Sequence, residues 1–192
     1  MTPRLSAVLN KIDDANRRDP KSEPDVGGAK PSALLYGERM SLVLQEFAEA
    51  PSEELQIAVR GQHIERWTRA RKDYPEGRTG YLQWRRDAAE FHAQRLAEIM
   101  ASEGYPADAR DRVGKLVRKL GLKTDDCAQT LEDVACLVFM RWYFAPFAPS
   151  RTPEELVHIV QKTAKKMSAR GREAALKLPL PAHLVPAIVS AG

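Results

Sequence analysis

Thr124-Asp125-Asp126-Cys127-Ala128-Gln129-Thr130-Leu131-Glu132-Asp133-Val134-Ala135-Cys136-Leu137-Val138-Phe139-Met140-Arg141-Trp142-Tyr143 is the most apolar run of the chain. Leu131, Val134, Leu137 and Val138 recur at intervals of three and four, the spacing of one face of an α-helix. Thr124, Asp125 and Asp126 supply oxygens that cap the first N–H groups of such a helix. Pro146 and Pro149 end it. The run predicts a central helix, and with it an all-α protein. Glu132 and Asp133 both border the apolar face. Adjacent helical residues point about 100° apart, so one of the two is expected to face inward. Asp133, one turn before Leu137, is the first choice, with Glu132 as second ligand shell or general base.

The same periodicity extends outward in both directions. Downstream, Thr152-Pro153-Glu154-Glu155 starts a helix over about 153–167, with proline at its first position. Shorter helices follow over 168–177 and 182–190, joined by Pro179 and Pro181. Upstream, Leu5, Val8, Leu9 and Ile12 predict a helix over 4–17. Residues 18–31, with Pro24, Gly27, Gly28 and Pro31, predict a flexible loop. Ser32 and Ser52 are expected to cap the next two helices, the second holding Leu55, Ile57, Ala58 and Val59 and ending at His63. Lys72 to Gly80 is a loop. The longest helix spans 81–102, opened by Thr79 or Gly80, with His92 on its inner face. Another spans 107–120, closed by Gly121. Nowhere does period two persist. The expectation is one all-α domain over 1–192, a bundle of eight or nine helices with residues 150–192 as a C-terminal extension packed on the core.

The chain has 192 residues, enough for a single domain to bury about 70% of its unfolded surface. Its 30 Lys and Arg against 26 Asp and Glu leave a formal charge of +4, too weak a bias to announce nucleic-acid binding by itself. No apolar run reaches the roughly 20 residues of a membrane span. Met1 to Pro20 mixes apolar and charged residues, unlike a secretory leader. Cys127 and Cys136 suggest no disulfide framework. Together these features point to the reducing cytoplasm and away from membranes; the oligomeric state is left open.

Three places carry chemistry. His63 ends one helix, His92 lies inside another, and Asp133 lies inside a third. Two imidazoles and a carboxylate from separate helices can hold a divalent ion (Mn, Fe, Co, Mg or Zn) and so lower the pKa of a bound water toward ~7. The structural alternative is a helix-end histidine, a core histidine and an ion-paired aspartate. Between Arg60 and Asp87 stand eight Lys or Arg against four acids, interleaved with Trp67, Tyr74, Tyr81 and Trp84. Guanidinium forks suit phosphates and aromatic faces suit bases; such aromatics also serve simply to pin loops to a core. Arg60, Arg66, Arg85 and Lys119 are the candidate phosphate contacts. Trp67 or Tyr81 would take the organic part.

Leu34-Leu35-Tyr36-Gly37-Glu38-Arg39-Met40, Gln62-His63-Ile64-Glu65-Arg66-Trp67, Asp73-Tyr74-Pro75, Arg78-Thr79-Gly80-Tyr81 and Leu131 to Phe139 resemble the family called domain of unknown function 4202, over about Leu5 to Leu180. More distantly, the order of helices resembles the HD-domain metal-dependent phosphohydrolases. That resemblance sets His63 at the histidine of the His-Asp pair, His92 at an additional ligand and Asp133 at the late aspartate. Two positions depart from it. Tyr36 stands where the first histidine is expected, and Ile64 replaces the paired aspartate. The resemblance implies a phosphohydrolase of nucleotides or other phosphate esters, with Glu132 assisting catalysis. The departures leave open a non-catalytic module of the same fold that binds a phosphorylated or anionic small molecule, or RNA, through the Arg60–Arg86 surface.

Overall fold

The computed structural model describes residues 1–122 and 124–191. Among these, ten α-helices, where the sequence suggests eight or nine, are joined by short 3₁₀ and π-helical turns and one two-stranded hairpin. The chain gathers into two compact units, residues 1–121 and 122–192, where the sequence suggests a single domain with an extension from 150. Each unit is described by itself.

The first unit begins with α1 (Pro3–Asn16), capped by Thr2, whose hydroxyl accepts from the Leu5 N–H at 3.2 Å. Leu5, Val8 and Ile12 form its buried stripe. Next comes the hairpin, β1 (Ser22–Asp25) paired antiparallel with β2 (Gly28–Pro31). It replaces the expected loop. Pairing of Asp25 with Gly28 leaves a two-residue turn, Val26-Gly27, and Gly27 has φ +94°, a conformation glycine adopts without steric cost. Neither strand alternates apolar and polar residues; charges help tie the hairpin down. Lys30 pairs with Asp25 at 3.2 Å and with Glu38 at 2.9 Å, and Arg39 reaches Glu23 at 3.3 Å.

α2 (Ser32–Phe47) starts at Ser32, which is its first helical residue; Pro31 holds the cap position without a side-chain cap. α3 (Glu53–Gly61) is capped by Ser52 as expected, with Glu53 and Glu54 in its first turn. α4 (Gly77–Ser102) runs for 26 residues, and α5 (Ala107–Val117) packs along it. Met40, Val43, Leu44, Leu55, Ile57, Val59, Leu96, Met100, Val113 and Leu116 join the α1 stripe in one core. Burying a side chain of this size contributes about 1.5–3 kcal/mol. A Cβ on Gly61 would collide with Leu96, so glycine there sets how closely α3 approaches α4.

In the second unit, α6 (Asp126–Val138) is capped by Asp125, which accepts from the N–H groups of Cys127 at 3.0 Å and Ala128 at 3.3 Å. The helix continues into one π-helical turn, Phe139–Tyr143, and then α7 (Phe144–Phe147). α8 (Pro153–Ala164) carries a complete capping box, Thr152 with Glu155. α9 (Ala169–Ala175) and α10 (Val185–Val189) complete the unit. Leu131, Val134, Val138, Val160, Ala164, Ala175, Leu184 and Ile188 are buried. No helix among the described residues is long and apolar enough to cross a membrane.

Candidate functional site

α3 ends at Gly61, and the chain turns immediately so that His63 stands just beyond it. Two residues later Glu65 adopts φ +51°, a left-handed conformation that costs a non-glycine residue about 1–2 kcal/mol. It is held there by two anchors: its N–H donates to Asn16 Oδ1 at 3.0 Å, and its carboxylate accepts from Arg95 at 2.7 Å. This reversal opens the 3₁₀ turn Arg66–Thr68 and sends Arg66 back toward His63. α4 passes alongside, contributing Tyr81, Trp84, Arg85, Arg86 and His92. The end of α5 adds Arg118 and Lys119.

Lys119 is strained as well. The Lys119 N–H donates to Leu116 and the Leu120 N–H to Lys115, the bonding of a helix end whose turning residue is usually glycine. Lys119 holds that position at φ +58°. The terminator therefore sits two residues before Gly121, the glycine singled out from sequence. Left-handed non-glycine residues that persist cluster at functional sites, and here two flank one cavity.

That cavity has a volume of about 420 Å³, inside the roughly 300–1,000 Å³ of small-molecule sites. Its cations are Arg66, Arg85, Arg86, Arg118 and Lys119, against one acid, Glu90. Glu90 is already engaged by Arg118 through two bonds of 2.6 and 2.7 Å. Arg66 Nη1 lies 2.7 Å from His63 Nε2, and its guanidinium stacks 4.7 Å from the centre of the Trp84 indole. Among the described residues no carboxylate pairs with Arg66. Burial is the main cause that lowers its pKa, with Arg85 adding repulsion and Tyr36 and Tyr81 opposing. Trp84 is fixed by its own N–H, which donates to the Arg69 carbonyl at 2.8 Å. Tyr81, Leu82 and Leu120 stand exposed at the rim.

The two histidines are neutral. An arginine only donates, so His63 must accept at Nε2 and carry its proton on Nδ1. Part of its ring is open to the cavity, yet close packing pushes its pKa well down, helped by Arg66, His92, Lys119 and Arg85. Its other face stacks on Tyr36, with ring centres 4.6 Å apart. His92 is 2% exposed, and neither ring nitrogen has a hydrogen-bond partner among the described residues. Burial lowers its pKa to about 4, against an opposing contribution from the Ile64 backbone. The His63 and His92 ring centres are 6.0 Å apart.

Of the residues picked out from sequence, His63, His92, Arg66, Tyr81, Arg85 and Lys119 come together at this cavity. Arg60 does not line it. Both forks of its guanidinium grip Asp13, at 2.7 and 2.6 Å, bracing α3 against α1. Trp67 is not among the cavity walls; Trp84, one of four aromatics noted in the basic segment, takes the stacking place instead. Tyr36 belongs to the site through its stack on His63 and its hydroxyl, which accepts from Gln62 Nε2 at 2.6 Å. Ile64 points into the core with no exposure.

Asp133 and Glu132 belong to the second unit, and both are buried there, at 2% and 5% exposure. The expectation that only one would face inward fails because α6 is enclosed on more than one side. Asp133 brackets the start of α9, accepting from the Ser168 N–H at 2.8 Å, the Ser168 hydroxyl at 2.6 Å and Gln129 at 3.1 Å. Glu132 lies 4.0 Å from Lys166. A divalent ion needs several converging His, Cys, Asp or Glu donors. Among the described residues no three of them form such a group, and the Nε2 lone pair of His63 already faces a guanidinium. The donor set does not fit a metal.

The family signal spans nearly the whole chain. Residues 6–188 match the family described as "Domain of unknown function (DUF4202)". The chain belongs to the DUF4202 family. No curated protein and no solved structure matches this DUF4202 chain, so the cavity itself has to carry the functional reading.

Proposed function

We propose that this DUF4202 protein binds a phosphorylated small molecule with a planar or apolar organic part, a nucleotide being the representative case. The observation that carries the reading is Arg66, a half-buried guanidinium held by a neutral imidazole and an indole, with no carboxylate among the described residues to balance it. A desolvated cation without a counter-charge is costly, and an anionic ligand would supply the missing partner. Arg85 and Lys119 add charge around it, while Tyr81 and Trp84 offer aromatic faces. A concave cavity of about 420 Å³ favours a small molecule over an RNA strand.

Equilibrium dialysis against nucleoside monophosphates, sugar phosphates and short single-stranded RNA tests the proposal. Binding of a phosphorylated small molecule that weakens with salt and disappears in Arg66→Gln supports it. Retention of RNA alone, with a steep salt slope, would move the function to the basic surface instead.

A second reading is hydrolysis of the bound ester by an HD-like site. It rests on the neutral His92 imidazole in the wall beside the cation, a group able to accept a proton, with His63 as the residue that orients the cation. A phosphoester panel assayed with and without divalent ions decides it. Hydrolysis lost in His63→Ala would support it; a panel with no turnover under either condition would end it.

A further inference from the structure

In the pairing of His63 with Arg66 the geometry points to something more specific, and it rests on the phosphate-binding reading above. We infer that Arg66 is the built-in cation of this pocket, standing where a divalent metal on His63 would stand, so that phosphate is bound without a metal ion.

The imidazole and the guanidinium meet at 2.7 Å through His63 Nε2. Because arginine can only donate, the Nε2 lone pair, the same electrons that would bind a metal, is committed to an Arg66 N–H. A metal on that nitrogen would displace the guanidinium and meet its charge at close range. The arrangement is held from several sides. Tyr36 stacks on the His63 ring and is itself fixed by the buried Gln62. Trp84 lies under the guanidinium, and its N–H is anchored on the Arg69 carbonyl. Glu65 holds its left-handed turn through Asn16 and Arg95, which fixes the direction in which Arg66 leaves the chain.

The two groups that touch the guanidinium among the described residues, an imidazole lone pair and an indole face, are neutral. They orient the charge and leave it uncompensated. A planar fork with N–H groups beyond the one given to His63 can meet two oxygens of a phosphate, as a bare ion with bound waters also can. His92, at 2% exposure and with no hydrogen-bond partner for either ring nitrogen among the described residues, adds a further polar group within the same wall.

The test is calorimetric titration of the full chain with inorganic phosphate, once in excess chelator and once with added Mn²⁺. The inference expects equal affinity in the two arms. It also expects a loss of about tenfold to a hundredfold in Arg66→Gln, with Arg66→Lys in between because it keeps charge without the fork. Binding seen only with Mn²⁺ would overturn the inference and leave the phosphate reading standing. Undiminished binding by Arg66→Gln would also overturn it. Absence of binding in both arms would overturn the phosphate reading and the inference together. The chelator comparison uses the unmodified chain, so it decides the matter even if a variant fails to fold.

Discussion

Lys119, like Glu65, carries part of the backbone cost of the site. Its left-handed backbone occupies a helix-end position where glycine is the ordinary choice, so Lys119→Gly should stabilise the fold by about 1 kcal/mol. The same change removes a cation from the cavity wall. We therefore expect the thermal midpoint to rise while affinity for a phosphorylated ligand falls, both measurable on one preparation. His92 makes a second residue-scale prediction. Its folded pKa of about 4 lies below the unfolded value near 6.5, so between these values the unfolded chain binds more protons. Stability then rises with pH through that window and falls as pH drops from 6.5 toward 4. The full difference is on the order of 3 kcal/mol. Denaturant titrations at pH 7 and pH 4.5 should show most of that loss, and His92→Leu should shrink it. A pH-independent midpoint in the parent chain would contradict the burial argument.

Among the elements, the clearest lesson is what Asp133 does. Read along the chain, an inward aspartate on an apolar helix suggests a metal ligand. In the folded second unit its carboxylate instead holds the N-terminus of α9, through the backbone and hydroxyl of Ser168. Gly171 lies so close that a Cβ there would come within 2.5 Å of the carboxylate. Removing the acid leaves the half-buried donors of Ser168 and Gln129 unpaired, which costs about 1–3 kcal/mol. Asp133→Ala should therefore lower stability by that amount and increase hydrogen exchange in α9, with phosphate binding by the first unit unchanged. Helix positions were legible because periodicity and caps agree: Ser52, Asp125 and the Thr152–Glu155 box cap the helices they precede. The hairpin was not. Its four-residue strands carry prolines and charges where an apolar alternation would announce them.

Across the whole chain, the helical class and the basic-aromatic character of residues 60–86 could be read directly, because both depend on composition and local spacing. The division at residue 121 could not be read, since it depends on which helices share a core. Nor could the state of Arg66. Eight cations in one segment look alike on paper, and only the fold shows that Arg60 is consumed by Asp13 while Arg66 is left against neutral partners. Trp84 was visible among the aromatics, but its role depends on the reversal at Glu65, a left-handed turn that no residue type announces. The central claim is that this unbalanced cation defines a site for a phosphorylated ligand. Calorimetric titration of the full chain with a nucleoside monophosphate tests it most directly. Saturable one-site binding by the parent chain, lost in an Arg66→Gln variant that remains folded, is the expected result, and equal heats from the two proteins would contradict it.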